Sequence, residues 1–157
     1  MSNFSTQQYC PMPTHVHLVL KQLQSEGVSK FMCRILQGYS TYFNRKHGRK
    51  GPLWESRFKT VLVRSQEQFS HLTRYIHLNP VTSYLVDKPE DWSFSSYREY
   101  LGICGEEKKI CNFKEYLNMN PKHYKKFVED QIDYQRELSK MKNAVSSTGR
   151  GGNRPGL

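Results

Sequence analysis

The part of the chain that decides its fold is residues 12–20, MPTHVHLVL, in which the side chains alternate between two sets. Such alternation predicts a β-strand, because successive side chains of a strand point to opposite faces. The two faces would carry Val16, Leu18 and Leu20 on one side and His15, His17 and Val19 on the other. We expect the Val16 face to pack on a core and so to fix the direction of the two histidines.

The residues that follow predict an alternation of helices and strands. A helix is expected over residues 29–46, with an apolar stripe of Phe31, Ile35, Tyr39 and Tyr42, joined by Met32, Leu36 and Phe43. Residues 53–63 end in a β-branched run and predict a second strand.

A second helix is predicted from Ser65 to about residue 78. Ser65 is a candidate N-cap, since Gln68 follows three residues later. Pro80 disfavours helical geometry at Asn79, so we expect this helix to end there. Shorter helices are expected around residues 94–101 and 122–138, and a disordered tail over residues 143–157.

Composition narrows the class of protein. A chain of 157 residues fits one domain, and its four cysteines are scattered, without the paired spacing of a zinc knuckle or a disulfide framework. No apolar run approaches the ~20 residues of a membrane span, and no signal-peptide pattern is visible. These features predict a soluble protein of the cytoplasm that does not bind membranes.

The net charge of +10 indicates a polyanionic partner. Cations cluster between residues 45 and 64, opposed only by Glu55, and Trp54 and Phe58 lie among them. The cations are Arg45, Lys46, Arg49, Lys50, Arg57, Lys59 and Arg64. Cations interleaved with aromatic rings suit phosphate contacts and base stacking on a single strand of nucleic acid. Simple solubility is the alternative explanation of the charge.

Two small groups of residues could carry chemistry. His15 and His17, two apart on a strand, would present both imidazoles on one face, as metal binding requires. Tyr75 and Asn79, four apart, would share one face of a helix, whereas His77 points elsewhere. The structural alternatives are a half-exposed histidine pair without a ligand, and a core tyrosine followed by Asn79 as a helix C-cap.

Four stretches together resemble a known family, the REP-associated tyrosine transposases, which are relatives of the single-tyrosine HUH transposases of small insertion sequences. The stretches are MPTHVHLVL at 12–20, GPLWESRFKTVLV at 51–63, RYIHLNPVTSYLV at 74–86 and WSFSSYREYLG at 92–102. The resemblance covers residues 9–102, which we take as a transposase-like domain. Residues 103–142 would form a helical C-terminal appendage.

The resemblance implies a metal-dependent endonuclease and strand transferase that acts on single-stranded or hairpin DNA in transposition. Tyr75 would be the nucleophile and form a 5′-phosphotyrosine link. His15, His17 and Asn79 would hold Mg²⁺ or Mn²⁺, which polarises the scissile phosphate. DNA contacts would fall to Arg45, Lys46, Arg49, Lys50, Trp54, Arg57 and Lys59. Relatives include dimers that exchange the tyrosine helix as well as monomers, so a homodimer is left open.

The implied fold is α+β, a ferredoxin-like βαββαβ palm in which helices cover one face of an antiparallel sheet, with C-terminal helices added. Here only residues 9–12 match the strand that leads into the histidines. We therefore expect the palm to lack its first strand and helix, which would leave two strands without their shared neighbour. Thr14 also stands where the family usually has Asn.

Three functions therefore compete. The first is an active tyrosine nuclease or strand transferase. The second is a catalytically impaired, truncated remnant that only binds single-stranded or hairpin DNA. The third is an RNA-binding module, which is disfavoured because no RNP-type aromatic motif lies on a strand.

Overall fold

The computed structural model of the chain describes residues 3–148, and their side chains as far as residue 141. The strands are β1 (Phe4–Pro11) and β2 (Val16–Gln22), and the helices are α1 (Gly27–Lys46), α2 (Gln66–Thr82), α3 (Tyr97–Tyr100), α4 (Pro121–Glu129) and α5 (Ile132–Thr148). This content confirms the α+β class. None of the helices within 3–148 is long and apolar enough to cross a membrane.

Strands β1 and β2 form an antiparallel hairpin in which Cys10 lies opposite His17 and Tyr9 opposite Leu18. The amide of Met12 donates to the carbonyl of His15 at 2.8 Å and closes the connecting turn. The strand predicted over residues 12–20 is therefore shifted. Residues 12–15 form the turn, and the strand continues to Gln22.

The buried face of β2 is the opposite of the one expected. Val19 is 9% exposed and packs in the core with Phe69 and Ile76 of α2, whereas Val16 is 47% exposed. The reason is that α2 lies against the side of the hairpin that carries His17 and Val19. Alternation predicted the two faces correctly but could not tell which one a helix would cover.

The strand predicted over residues 53–63 is wrong. This segment is irregular, and Val61 and Leu62 within it are 81% and 70% exposed. A strand is held by hydrogen bonds to a neighbour, and in the part of the chain that the structure describes β2 pairs with β1 alone. The sheet thus has two strands, fewer than a complete βαββαβ palm, as expected for a palm without a strand between β2 and this segment.

Helix α1 keeps close to its predicted bounds, but its apolar stripe is not buried. Ile35, Tyr39 and Tyr42 are 43%, 47% and 57% exposed. A helix of 20 residues is about 30 Å long, whereas two strands span only about 5 Å between their axes. The narrow sheet covers the start of α1, where Phe31 packs on Phe4 at 4.0 Å between ring centroids, and leaves the rest of the stripe open.

Helix α2 begins as predicted, with the Ser65 hydroxyl accepting a hydrogen bond from the amide of Gln68 at 3.0 Å. Its predicted end at Asn79 is wrong, because the helix continues through Pro80 to Thr82. Pro80 lies in the last turn, where only one helical donor is lost. The amide of Ser83 still bonds the carbonyl of Asn79 at 2.9 Å, so the turn remains closed.

Segment 92–112 covers the outer edge of β1. Trp92 Nε1 donates to the carbonyl of Pro11 (3.0 Å), the Ser96 amide to that of Tyr9 (3.0 Å), the Tyr100 hydroxyl to that of Gln7 (2.8 Å) and the Asn112 amide to that of Thr6 (2.8 Å). These bonds satisfy backbone carbonyls that would otherwise lie at an open strand edge. Segment 92–112 therefore stabilises the sheet by hydrogen bonding to the free edge of β1.

The C-terminal segment belongs to the same core as the hairpin. Leu117, Tyr124 and Val128 join the apolar cluster that contains Cys10 and Val19. The single helix predicted over residues 122–138 is two helices, α4 and α5. The tail expected to be disordered from Asn143 overlaps α5 as far as Thr148, and residues 149–157 lie outside the described chain.

His77 of α2 lies at the centre of this core and is fully buried. Its Nδ1 is 2.8 Å from the Tyr124 hydroxyl and its Nε2 is 3.0 Å from Ser96 Oγ. The rings of Tyr97, Tyr100 and Tyr124 surround it. Burial lowers the pKa of His77 to about 3, so the imidazole is neutral in the folded protein.

This buried imidazole should make the stability of the fold sensitive to acid. The unfolded chain takes up a proton on His77 below pH ~6.5, whereas the folded chain does not until about pH 3. The three tyrosines around it also have raised pKa values and stay neutral. The neutral His77 therefore contributes fully to the free energy of unfolding above pH ~6.5. Below that pH the free energy of unfolding falls by about 1.4 kcal/mol per pH unit.

Urea unfolding of the wild type and of His77→Gln at pH 7.5 and pH 5 would measure this contribution. We expect the wild type to lose about 2 kcal/mol more than the variant over that interval. Equal losses in the two proteins would contradict the burial of a neutral His77.

Candidate active site

His15 and His17 meet at the turn of the hairpin. His15 lies in the turn and is exposed, whereas His17 lies in β2 and is partly buried. Their Nε2 atoms are 3.0 Å apart and their rings are nearly perpendicular, at 88°. The expected pairing of the two imidazoles is therefore present, although it comes from a turn residue and a strand residue.

Neighbouring groups orient the pair and disfavour the charged form of His17. The Thr14 hydroxyl is 3.0 Å from Nδ1 of His15, which leaves Nε2 of that ring facing His17. Burial, and then the nearby His15, lower the pKa of His17. A neutral imidazole keeps a nitrogen lone pair, which is the form that binds metal ions.

Tyr75 of α2 faces this pair. Its ring centroid is 6.1 Å from that of His17, with an interplanar angle of 80°. The side chain is 45% exposed, whereas Tyr97, Tyr100 and Tyr124 are buried. The structure therefore brings Tyr75 to the histidines and leaves it open to solvent, and the alternative of a core tyrosine does not apply.

Asn79 lies one helical turn after Tyr75 and is 9% exposed. Its Nδ2 has no hydrogen-bond partner, and no hydrogen bond joins Asn79 to either histidine. The structural alternative of Asn79 as a C-cap is excluded, because α2 continues to Thr82. Within residues 3–148, no cluster of three or more His, Cys, Asp or Glu side chains could hold a metal ion. Among the described residues, a third side-chain ligand beside His15 and His17 would thus be of another type.

The cations of the basic segment, residues 45–64, are all exposed. None of them forms an ion pair with the side chains that the structure describes. Lys46 donates to the Tyr42 hydroxyl at 3.2 Å, and Arg49 lies over the ring of Phe43. Unpaired exposed cations can neutralise phosphates without first breaking an internal salt bridge.

The two aromatic residues of the basic segment differ in exposure. Phe58 is 41% exposed, whereas Trp54 is partly buried, packs on Tyr39 and donates from Nε1 to the carbonyl of Leu36 at 3.1 Å. Trp54 thus fastens the segment to α1. The exposed aromatic rings beside the cations include Tyr39 and Tyr42, which the sequence predicted to be buried.

The hydrogen bond between His77 and Ser96 could not be predicted from the sequence. His77 stands in the same motif as Tyr75, but residues two apart on a helix point in different directions. Helical spacing therefore separated His77 from Tyr75 and gave no indication of its partner, Ser96. The position of His77 between the apolar residues Ile76 and Leu78 was the only signal that the sequence offered.

Comparison with known proteins identifies the family of this chain. The family described as "Transposase IS200 like" matches residues 1–79. A protein of Haemophilus influenzae assigned as a REP-associated tyrosine transposase is 26% identical over 104 residues, which cover 60% of this chain and 59% of that protein. The REP-associated tyrosine transposase of Escherichia coli is 28% identical over 94 residues, covering 60% of this chain and 54% of the relative.

The chain thus spans somewhat more than half the length of the curated relatives that it matches. No solved structure matches it significantly.

Proposed function

The chain belongs to the IS200-like transposase family, and from that premise we propose that it cleaves and rejoins single-stranded or hairpin DNA through Tyr75. The observation that carries the proposal is the position of the Tyr75 ring, half-exposed and 6.1 Å from the His17 ring. A nucleophile must be open to its substrate and close to the groups that activate the reacting phosphate. The exposure of Tyr75 and its position beside His17 support this role.

The histidine pair suits a divalent metal ion. The Nε2 atoms of His15 and His17 are 3.0 Å apart, so both imidazoles could hold one ion. We propose Asn79 as the third ligand, because it follows Tyr75 by one helical turn and its side-chain carbonyl oxygen is of the ligand type that suits Mg²⁺ and Mn²⁺. Mg²⁺ or Mn²⁺ bound there would polarise the scissile phosphate.

The proposed cleavage transfers one phosphodiester to the protein. The Tyr75 oxygen loses its proton and forms a bond to phosphorus, while the bond from phosphorus to the 3′ oxygen of the preceding nucleotide breaks. The 3′ oxygen leaves with a proton, and the DNA keeps a 5′-phosphotyrosine link. Because one phosphodiester replaces another, a second 3′-hydroxyl can reverse the step and join a new strand.

DNA binding without cleavage is the second candidate function. It is favoured by the irregular structure of residues 53–63 and by the absence of a second partner for β2 within the described chain. Such a protein would keep the basic segment but hold the site less rigidly. The two candidates make the same prediction for binding and different predictions for covalent attachment.

Binding should favour single-stranded or hairpin DNA over duplex. The exposed cations of the basic segment would contact phosphates, and Phe58 would contact bases. Fluorescence anisotropy with labelled oligonucleotides at two salt concentrations would measure both the preference and the counterion release. Replacing Arg57 and Lys59 with Gln should weaken binding and make the slope of log Kd against log salt less steep by about 1–2.

The matched control replaces the exposed Lys122 and Lys126 with Gln, which changes the net charge equally on a different helix, α4. An equal loss of affinity in the control would mean that only the total charge matters, and equal affinity for duplex would exclude the proposed preference.

Metal binding should depend on the histidine pair. We expect His15→Ala and His17→Ala to abolish DNA cleavage and to lower the affinity for Mn²⁺ at least 10-fold, while DNA affinity changes little. Isothermal titration with Mn²⁺ and a cleavage assay with and without EDTA would test this. His123→Ala, which removes an exposed histidine of α4, is the control. Undiminished cleavage in EDTA would refute the metal assignment.

Tyr75 should be the residue that becomes attached to DNA. Mixing the protein with end-labelled single-stranded DNA and Mn²⁺ should give an adduct that survives denaturing electrophoresis, and Tyr75→Phe should remove it. Tyr84→Phe changes another exposed tyrosine near the same helix and should leave the adduct intact. Adduct formation by Tyr75→Phe would exclude this nucleophile, and DNA binding without any adduct from the wild type would support the second candidate.

A further inference from the structure

Helix α2 is joined to strand β1 by two sets of hydrogen bonds, one on each side of Tyr75. Before it, the buried Gln8 side chain donates from Nε2 to the carbonyl of Thr73 at 2.8 Å. After it, Nε2 of His77 lies 3.0 Å from Ser96 Oγ, which is itself bonded to the backbone of Tyr9. Gln8 and Tyr9, which are successive residues of β1, are therefore linked to Thr73 and His77. These two residues lie two positions before and two positions after Tyr75.

Ser96 bonds both backbone groups of Tyr9. The Tyr9 amide donates to Ser96 Oγ at 3.2 Å, and the Tyr9 carbonyl accepts from Ser96 Oγ at 3.2 Å and from the Ser96 amide at 3.0 Å. Tyr9 lies opposite Leu18, and the next residue, Cys10, lies opposite His17. The serine thus fixes β1 one residue away from Cys10, which pairs with His17 of β2.

One arrangement of protons satisfies this network. If His77 carries its proton on Nε2, that nitrogen donates to Ser96 Oγ, and Ser96 donates to the carbonyl of Tyr9. Nδ1 of His77 then accepts from the Tyr124 hydroxyl at 2.8 Å. In the other tautomer the Ser96 hydroxyl would donate its hydrogen bond to Nε2 of His77 and lose its bond to the Tyr9 carbonyl. Buried polar groups favour the arrangement with more bonds.

We propose that His77 is a positioning residue, whose bond to Ser96 sets the rotation of α2 about its axis and so holds Tyr75 against His17. This inference rests on the proposed function for its catalytic meaning, but the geometry that it asserts exists without DNA or metal. The 6.1 Å contact between Tyr75 and His17 is made by exposed or partly buried rings. Such rings keep a fixed distance and angle only when the backbones that carry them are fixed. The hydrogen bonds from Gln8 to Thr73 and between His77 and Ser96 fix these backbones.

The contact can be measured directly by NMR on the whole chain with labelled histidine and tyrosine rings, without metal or DNA. A nuclear Overhauser cross-peak between His17 and Tyr75 is expected in the wild type, and its absence in Tyr75→Phe and His17→Gln identifies it. Ser96→Ala and His77→Asn should weaken the peak at least fivefold while peaks between β1 and β2 remain. His77→Gln, which keeps a donor near the position of Nε2, should restore most of it.

Ser70→Ala is the matched control. Ser70 is a partly buried serine of α2, and its hydroxyl donates to the carbonyl of Gln66 within the same helix, so its loss should leave the peak unchanged. An unchanged peak in Ser96→Ala, or an equal loss in Ser70→Ala, would overturn the proposal. If His77→Asn fails to fold, Ser96→Ala decides the question, because it removes only one hydroxyl.

The rate of covalent attachment supplies the second readout. Under single-turnover conditions Ser96→Ala should form the Tyr75 adduct about 10- to 100-fold more slowly, because a small displacement of a nucleophile has a large effect on rate. Its Kd for single-stranded DNA should change less than threefold. Slower attachment that is explained entirely by weaker DNA binding would overturn the positioning role. Absence of any adduct in the wild type would refute the proposed function and leave the NMR test of the anchor intact.

Discussion

The hydrogen bonds along the outer edge of β1 are the constraint on which the rest of the structure depends. A two-stranded hairpin alone is marginally stable in water, and this one gains support from segment 92–112 on one edge and from α2 on one face. Ser96 joins both supports, since it bonds Tyr9 of β1 and His77 of α2. The edge, the helix and the hairpin therefore form one unit.

The candidate active site follows from that unit. The histidines occupy the turn and first residues of β2, and Tyr75 projects from the helix that packs on the same side. His77 and the tyrosines around it are buried, whereas Tyr75 of the same helix is half-exposed. One helix thus separates two tasks, because the residues that anchor it are buried and the residue proposed to react is open to solvent.

The narrowness of the sheet explains the regions that differ from expectation. With two strands in the described chain, α1 has no surface to cover its stripe beyond its first turns, and residues 53–63 have no neighbour to pair with. Both regions carry sequence patterns that predict burial. Tyr39 and Tyr42 of α1, and Val61 and Leu62 of residues 53–63, fit these patterns but are exposed. The spacing of apolar residues indicates which surface a segment could pack on. The segment is buried only when such a surface lies beside it in the folded chain.

The sequence by itself determined the α+β class, helix α1, the N-cap of α2 and the histidine pair, because each of these depends on residues close together in the chain. Helical and strand periods, capping and a two-residue spacing are local properties. Only the tertiary structure decided which face of β2 is buried, that α2 continues past Asn79, and that His77 is bonded to Ser96. These outcomes depend on residues that are distant in sequence, and local periodicity carries no information about them.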